Sequence, residues 1–319
     1  MKILVSDGLE AEALATLRKT HSVDTIEADP TKLLEIIPNY EAIIVRSRTK
    51  VTADVLAKGT RLKVVGRAGI GVDNIDVKAA SLKHIPVVNA PTGSTVSVAE
   101  LALGHMLSLA RHLAEADRTM KEGKWEKKRF EGRELYGKVL GLLGSGRIGA
   151  EVAKRAQAFG MTVIVFDPYL PPKAAEERGI RLVPDLPTLL RQADVLSVHA
   201  ALTPETRGML GAKEFAMMKK TAWVVNCARG EIIQEAALAE ALKAGTISGA
   251  ALDVFEKEPP AGSPILAAPN VVFTPHLGAS THEAQSRAGA IIADQVMKAL
   301  KGEKPDFVVN LDVYTIPME

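Results

Sequence analysis

Arg229, Glu258 and His276 stand far apart in the chain but are of the types needed to remove a proton and a hydride from a hydroxy acid. The hydroxyl proton needs a base, and histidine suits this near neutral pH. The base needs a partner that holds its orientation and favours its cationic form, which a carboxylate does. The substrate carboxylate and the reacting oxygen need a fixed cation, and arginine's fork grips a carboxylate better than lysine's point charge. Each candidate follows a short apolar run: Arg229 after 222–225, Glu258 in the loop beyond 249–252 and Asp253, His276 after 271–274. Ligands of open α/β sheets bind beyond the carboxyl ends of the strands, so these residues and Asp253 are expected to face a cofactor.

The partner for that chemistry is written at 139–160, VLGLLGSGRIGAEVAKRAQAFG. Gly144, Gly146 and Gly149 make G-x-G-x-x-G, with Arg147 and Ile148 inside the turn. The motif alone is weak, because glycine is common. Its context is strong: an apolar run at 139–143 precedes it, and a helical pattern with Ile148, Val152, Ala156 and Phe159 on one face follows. In such a turn the first glycine allows the bend, the second lets backbone approach a pyrophosphate, and the third lets helix pack on strand. The pyrophosphate then meets unpaired N–H groups at a helix N-terminus. Asp167 closes the next strand, 21 residues beyond Gly146. It is placed to accept bonds from the adenosine ribose and to repel a 2′-phosphate, so NAD is expected rather than NADP. A second cluster, Gly66-Arg67-Ala68-Gly69-Ile70-Gly71, has Asn74 where a third glycine belongs and is not another fingerprint.

These residues need a scaffold that brings strand ends together. Apolar runs at 3–5, 42–45, 62–65 and 86–88 alternate with helical patterns at 10–19, 52–58 and 77–83. A second series of runs falls at 139–143, 162–166, 195–198, 222–225, 249–252 and 271–274. Successive apolar residues, rather than alternating ones, mark parallel strands covered on both faces. The expected class is α/β, with two Rossmann-like doubly wound parallel-sheet domains and an inter-domain cleft. The turn-rich stretch 89–94 marks a join. A helix is expected from 98 to about 123, another over 282–301, and a short strand over 307–311. The substrate-binding domain is expected at 1–97 and 286–319 and the NAD-binding domain at 98–285, so that two hinges could close the cleft.

Composition narrows the function classes. The chain has 319 residues, 47% hydrophobic and 24% charged, as in a soluble globular protein of about two domains. A net charge of +2 is too slight to suggest nucleic acid or an acidic membrane. No run of about 18 apolar residues occurs, and the N-terminus turns polar by its sixth residue, so neither a span nor a signal peptide is expected. The single cysteine, Cys227, excludes an internal disulfide and fits the cytoplasm.

His105 and His112 lie seven apart on one helical pattern, too far to share a metal, and packing is the expected role; no metal is expected. His282 opens a helix and lacks a strand-end position. His199 sits at a strand end and is expected to line the cofactor, and Cys227 and Ala228, just before Arg229, to border the nicotinamide. Arg46 and Arg67 follow runs of the first domain and are expected to meet a substrate phosphate. Lys127-Lys128-Arg129 reads as a solvated face.

The stretches NCARGEIIQEAAL, GAALDVFEKEP and TPHLGAST, with VRSRTKVTADVL and VVGRAGIGVDNID, resemble the D-2-hydroxyacid dehydrogenase family across nearly the whole chain. The resemblance implies a catalytic arginine at Arg229, glutamate at Glu258 and histidine at His276, with Gly278 beside the cofactor. It also implies substrate-carboxylate binding by the backbone of Gly69 and Ile70. PHLGAST with GRAGIGVDN is most similar to the branch that oxidises 3-phospho-D-glycerate, a phosphorylated 2-hydroxy acid. Longer members carry a C-terminal domain that senses serine, and such feedback is not expected within these 319 residues. A glyoxylate or hydroxypyruvate reductase is the alternative within the family, and an NAD(H)-sensing corepressor-like protein the alternative outside enzymes. Dimers are usual in the family, and the helix from 98 to 123 with Trp125 is the expected interface.

Overall fold

A computed structural model describes residues 1–314, which divide into two compact units, 1–95 with 279–314 and Val96–Gly278. The first unit holds strands β1 (Lys2–Ser6), β2 (Ser22–Ile26), β3 (Ala42–Val45), β4 (Val64–Arg67) and β5 (Val87–Asn89). Helices α1 (Ala11–Arg18), α2 (Pro30–Ile36), α3 (Ala53–Lys58) and α4 (Val77–Leu82) connect them. The second unit begins with α5 (Thr95–Arg111) and α6 (Leu113–Lys121). It continues through β6 (Val139–Leu143), α7 (Arg147–Ala158), β7 (Thr162–Phe166), α8 (Pro172–Glu177), β8 (Arg181–Leu182), α9 (Leu186–Gln192) and β9 (Val195–Val198). Then follow α10 (Ala212–Met217), β10 (Trp223–Asn226), α11 (Glu235–Lys243), β11 (Gly249–Leu252) and β12 (Val271–Phe273), before α12 (His282–Leu300) returns to the first unit.

Both sheets are parallel throughout their named strands, in the orders β2-β1-β3-β4-β5 and β12-β11-β10-β9-β6-β7-β8. Residues along each strand alternate between two cores. In the second unit Val163 and Val165 join the cluster under α5 and α7, whereas Ile164 joins the cluster that contains α11 residues. In the first unit Ile3 and Val5 lie with Ile292 and Val296 of α12, and Leu4 lies with Leu33 and Leu56. Side chains of successive strand residues point to opposite faces, and both faces are covered, so an unbroken apolar run is what such a strand requires. Strand order reverses between β1 and β3 in one sheet and between β6 and β9 in the other, which creates a crevice at each switch point.

Several expectations need correction. The helix expected from 98 to 123 is two helices: His112 adopts φ 52°, ψ 35°, a left-handed conformation that ends one helix before the next begins. The stretch 307–311 makes only an isolated antiparallel bridge, Val88 with Val308, rather than a strand. β2 and β8 were not anticipated; β2 is a half-exposed edge strand and β8 has two residues, so neither carries a buried apolar run. No helix among the described residues is long and apolar enough to cross a membrane.

Candidate active site

The second unit's switch point carries the glycine turn. Gly144 follows β6 with φ +89°, and a Cβ there would lie 2.9 Å from the backbone nitrogen of Ala200, so both conformation and space require glycine. A Cβ at Gly149 would lie 2.6 Å from the Gly144 carbonyl oxygen, which confirms close packing of α7 on the strand end. A Cβ at Gly146 would meet nothing within 4 Å. The protein's own packing therefore does not explain that glycine, whereas close approach by a pyrophosphate does. No side chain caps α7 at Gly146, which leaves its first N–H groups without a side-chain partner, as binding of an anion there requires. Asp167 binds back to the turn: Ser145 N–H donates to Oδ2 at 2.8 Å, and Tyr169 N–H donates to Oδ1 at 2.9 Å. A carboxylate has further lone pairs, so ribose hydroxyls can still be accepted. These features fit a dinucleotide.

His199, directly after β9, packs beside this turn, and Ser197 Oγ lies 2.8 Å from its Nε2. Burial pulls its pKa down to about 4, so the ring is neutral. Cys227 is buried, and burial, reinforced by the Asp253 charge, pushes its thiol well up, so it is no nucleophile.

Arg229, Glu258 and His276 are brought together by loops beyond β10, β11 and β12. Glu258 Oε2 is 2.7 Å from His276 Nδ1. The hydrogen bond that His276 donates to Glu258 raises the His276 pKa above its ordinary value against burial, with the Glu258 and Asp253 charges adding to the rise and Arg229 opposing it. Burial raises the Glu258 pKa, but the bond and charge of His276, the Phe255 N–H and the Arg229 charge together bring it below the usual value. The pair is therefore poised to hold a proton on the imidazole. Arg229 Nη1 donates to the Ala228 carbonyl at 2.8 Å, and Asn226 ties the loop with bonds to the Arg229 carbonyl and the Ala228 N–H. Gly230 sets how close this loop comes to the next: a Cβ there would fall 1.9 Å from the carbonyl carbon of Phe255. Only glycine lets the arginine loop press on the backbone three residues before Glu258.

His276 itself has φ 56°, an unusual conformation for a non-glycine residue. Asp253, 1% exposed, holds it there. Its Oδ1 accepts from Thr274 Oγ at 2.6 Å and Leu277 N–H at 2.7 Å, its Oδ2 from Gly278 N–H at 2.8 Å, and its carbonyl from His276 N–H at 2.8 Å. Asp253, expected to face the cofactor, thus commits its carboxylate to the loop that carries the histidine. Ser97 Oγ donates to the Gly278 carbonyl at 2.7 Å, and His105 Nε2 lies 3.0 Å from Thr274 Oγ. Sequence reasoning did not assign these supports. Their signal was faint: His105 on α5 read as packing, and Ser97 belongs to no motif. Among the described residues no group of acids, histidines or cysteine could hold a metal.

In the first unit, Arg46 follows β3 and Arg67 ends β4. Asp7, with φ 76°, accepts from Arg46 N–H at 3.2 Å, Thr49 N–H at 2.8 Å and Thr49 Oγ at 2.7 Å. Asn74 donates to the carbonyls of Arg46 and Thr49 from the other side. Arg67 Nη1 donates to the Ala68 carbonyl at 2.9 Å and lies over Gly69, where a Cβ would meet it at 1.8 Å. The Gly69 carbonyl accepts from Ala90 N–H, and the Ile70 carbonyl from Asn89 Nδ2.

The model of the D-isomer specific 2-hydroxyacid dehydrogenase NAD binding domain matches residues 103–278. The chain is 52% identical to the D-3-phosphoglycerate dehydrogenase of Methanocaldococcus jannaschii, over 100% of its own length and 61% of that protein's. It is 49% identical to the D-3-phosphoglycerate dehydrogenase of Archaeoglobus fulgidus, over 98% of its length and 59% of that protein's. The chain thus spans about three fifths of the length of these curated relatives. A crystal structure of a Thermus thermophilus protein superposes with a TM-score of 0.88 at 34% identity, covering 97% of this chain and 100% of that one.

Proposed function

The chain belongs to the D-isomer specific 2-hydroxyacid dehydrogenase family, and from that premise we propose that it oxidises 3-phospho-D-glycerate to 3-phosphohydroxypyruvate with NAD. The observation that carries the reading is the 2.7 Å pair of His276 and Glu258 beside the glycine-anchored Arg229 loop. Bound NAD supplies the hydride acceptor. His276, its Nδ1 engaged by Glu258, takes the hydroxyl proton at Nε2. Glu258 stabilises the resulting imidazolium, and Arg229 holds the substrate carboxylate and the reacting oxygen. The names of the relatives support the phosphorylated substrate.

For the first unit we propose the substrate-binding role, with Arg46 and Arg67 as phosphate ligands and the Gly69–Ile70 backbone as a carboxylate ligand. The second unit is the NAD domain. The cytoplasm is the proposed location, on the strength of a lone buried cysteine. The proposed partner is a second copy of the chain. In the part of the expected interface helix that is α5, the apolar residues Leu103, Met106 and Ala110 are buried within the unit itself. The surface offered to a partner is instead Leu113 and Met120 of α6 with Trp125, which is 78% exposed. Elution as a monomer at working concentration would remove the dimer.

The deciding test is NADH absorbance across a panel of 2-hydroxy and 2-keto acids, with and without phosphate. Highest kcat/KM on 3-phospho-D-glycerate is expected. Preference for an unphosphorylated acid would move the reading to a glyoxylate or hydroxypyruvate reductase. NADH binding with no turnover of any acid would favour the sensing protein.

A further inference from the structure

Arg178 caps the C-terminal end of α8 and is exposed, yet its guanidinium reaches the glycine turn. Its Nη1 donates to the Ser145 carbonyl at 2.8 Å and to Ser145 Oγ at 3.2 Å. Ser145 is 2% exposed and stands between the first two glycines of the fingerprint. Its N–H is the donor that Asp167 Oδ2 accepts at 2.8 Å. One residue of the turn is therefore gripped by an anion at its N–H and by a cation at its carbonyl and hydroxyl. Both charged side chains come from the segment after β7, where the adenosine ribose is read in folds of this kind.

The two have opposite consequences for a coenzyme. A carboxylate accepts from the ribose 2′-hydroxyl and repels a 2′-phosphate. A guanidinium is the side chain best matched to phosphate oxygens. Asp167 follows β7 directly, while Arg178 is turned onto the Ser145 backbone.

We propose that Arg178 is a specificity-determining residue for the coenzyme: Asp167 excludes a 2′-phosphate, and Arg178 is the cation that receives one when the Asp167 charge is removed. In the native chain Arg178 positions the Ser145 peptide for the pyrophosphate. The proposal rests on the dinucleotide reading of the turn.

The test is a binding titration of NADH and NADPH into the full chain, followed by calorimetry, with thermal melts confirming that each variant folds. The native chain is expected to prefer NADH. Asp167→Asn should raise NADPH affinity about tenfold, the scale of a hydrogen bond to a charged group. Asp167→Asn with Arg178→Gln should lose most of that gain, and Asp167→Asn with Arg178→Lys should keep part of it. Arg178→Gln alone should weaken NADH a few-fold by loosening Ser145. A gain that survives Arg178→Gln assigns the cation elsewhere, Arg147 on the first turn of α7 being nearest in sequence, and overturns the proposal. No gain from Asp167→Asn overturns it equally. Failure of the native chain to bind either coenzyme overturns the dinucleotide reading itself.

Discussion

The loop after β3 in the first unit and the loop after β12 in the second are hung in the same way, each on one buried aspartate. Asp7 takes one threonine hydroxyl and two backbone N–H groups, from Thr49 and Arg46. Asp253 takes one threonine hydroxyl and two backbone N–H groups, from Thr274, Leu277 and Gly278. They differ in what the loop presents. His276 is fixed by a second side chain, Glu258, at 2.7 Å. Among the described residues Arg46 faces an uncharged amide, with the Gln285 oxygen 3.2 Å from Nη2 when its nitrogen donates to Glu10. Proton transfer depends on orientation to within a fraction of an ångström, so its base is set in advance. A phosphate is held largely by charge, and Arg46 can leave an uncharged amide for it at small cost.

The contrast can be broken at several points. Replacing His276 by Ala should have the largest effect, a loss in turnover of about a thousandfold, because it removes the general base. NADH affinity, read by titration, should change little; equal loss of both would make His276 structural.

Next is Glu258→Gln. The native imidazole has its pKa raised, so it is protonated to a higher pH than an ordinary histidine and cannot act as base until that pH is passed. Oxidation, as kcat/KM against pH, should therefore rise through a midpoint above the usual histidine value of about 6.5. The Gln variant should move the midpoint downward and lower the plateau by about tenfold to a hundredfold. An unmoved midpoint would dissociate Glu258 from the titration.

Arg46→Gln and Arg67→Gln should each raise KM for 3-phospho-D-glycerate about tenfold, as expected for a lost charged hydrogen bond. An unphosphorylated 2-hydroxy acid should be affected far less. Equal effects on both would place these arginines away from the phosphate. The smallest effect is expected for Ser97→Ala, which removes a buried bond to the Gly278 carbonyl and should lower unfolding stability by about 1 kcal/mol. Denaturant melts would show it, and no change would mean that Asp253 holds the loop unaided.

The glycine turn was legible because its parts are local: strand, bend, helix and acid follow one another within 29 residues, 139 to 167. The strands of both sheets were legible because burial on two faces demands unbroken apolar runs. β2 escaped because an edge strand buries only part of itself, and the break at His112 because it lies in one residue's left-handed backbone.

Residue type and position after a strand were enough to nominate Arg229, Glu258 and His276, since a parallel sheet gathers its strand ends along one edge. Their convergence was decided by contacts between distant segments. The Gly230 backbone presses on Phe255, Asp253 grips the loop beyond β12, and Arg178 reaches Ser145. A sequence records which groups exist. Which donor meets which acceptor depends on how two loops, each free to bend alone, come to share one packed volume.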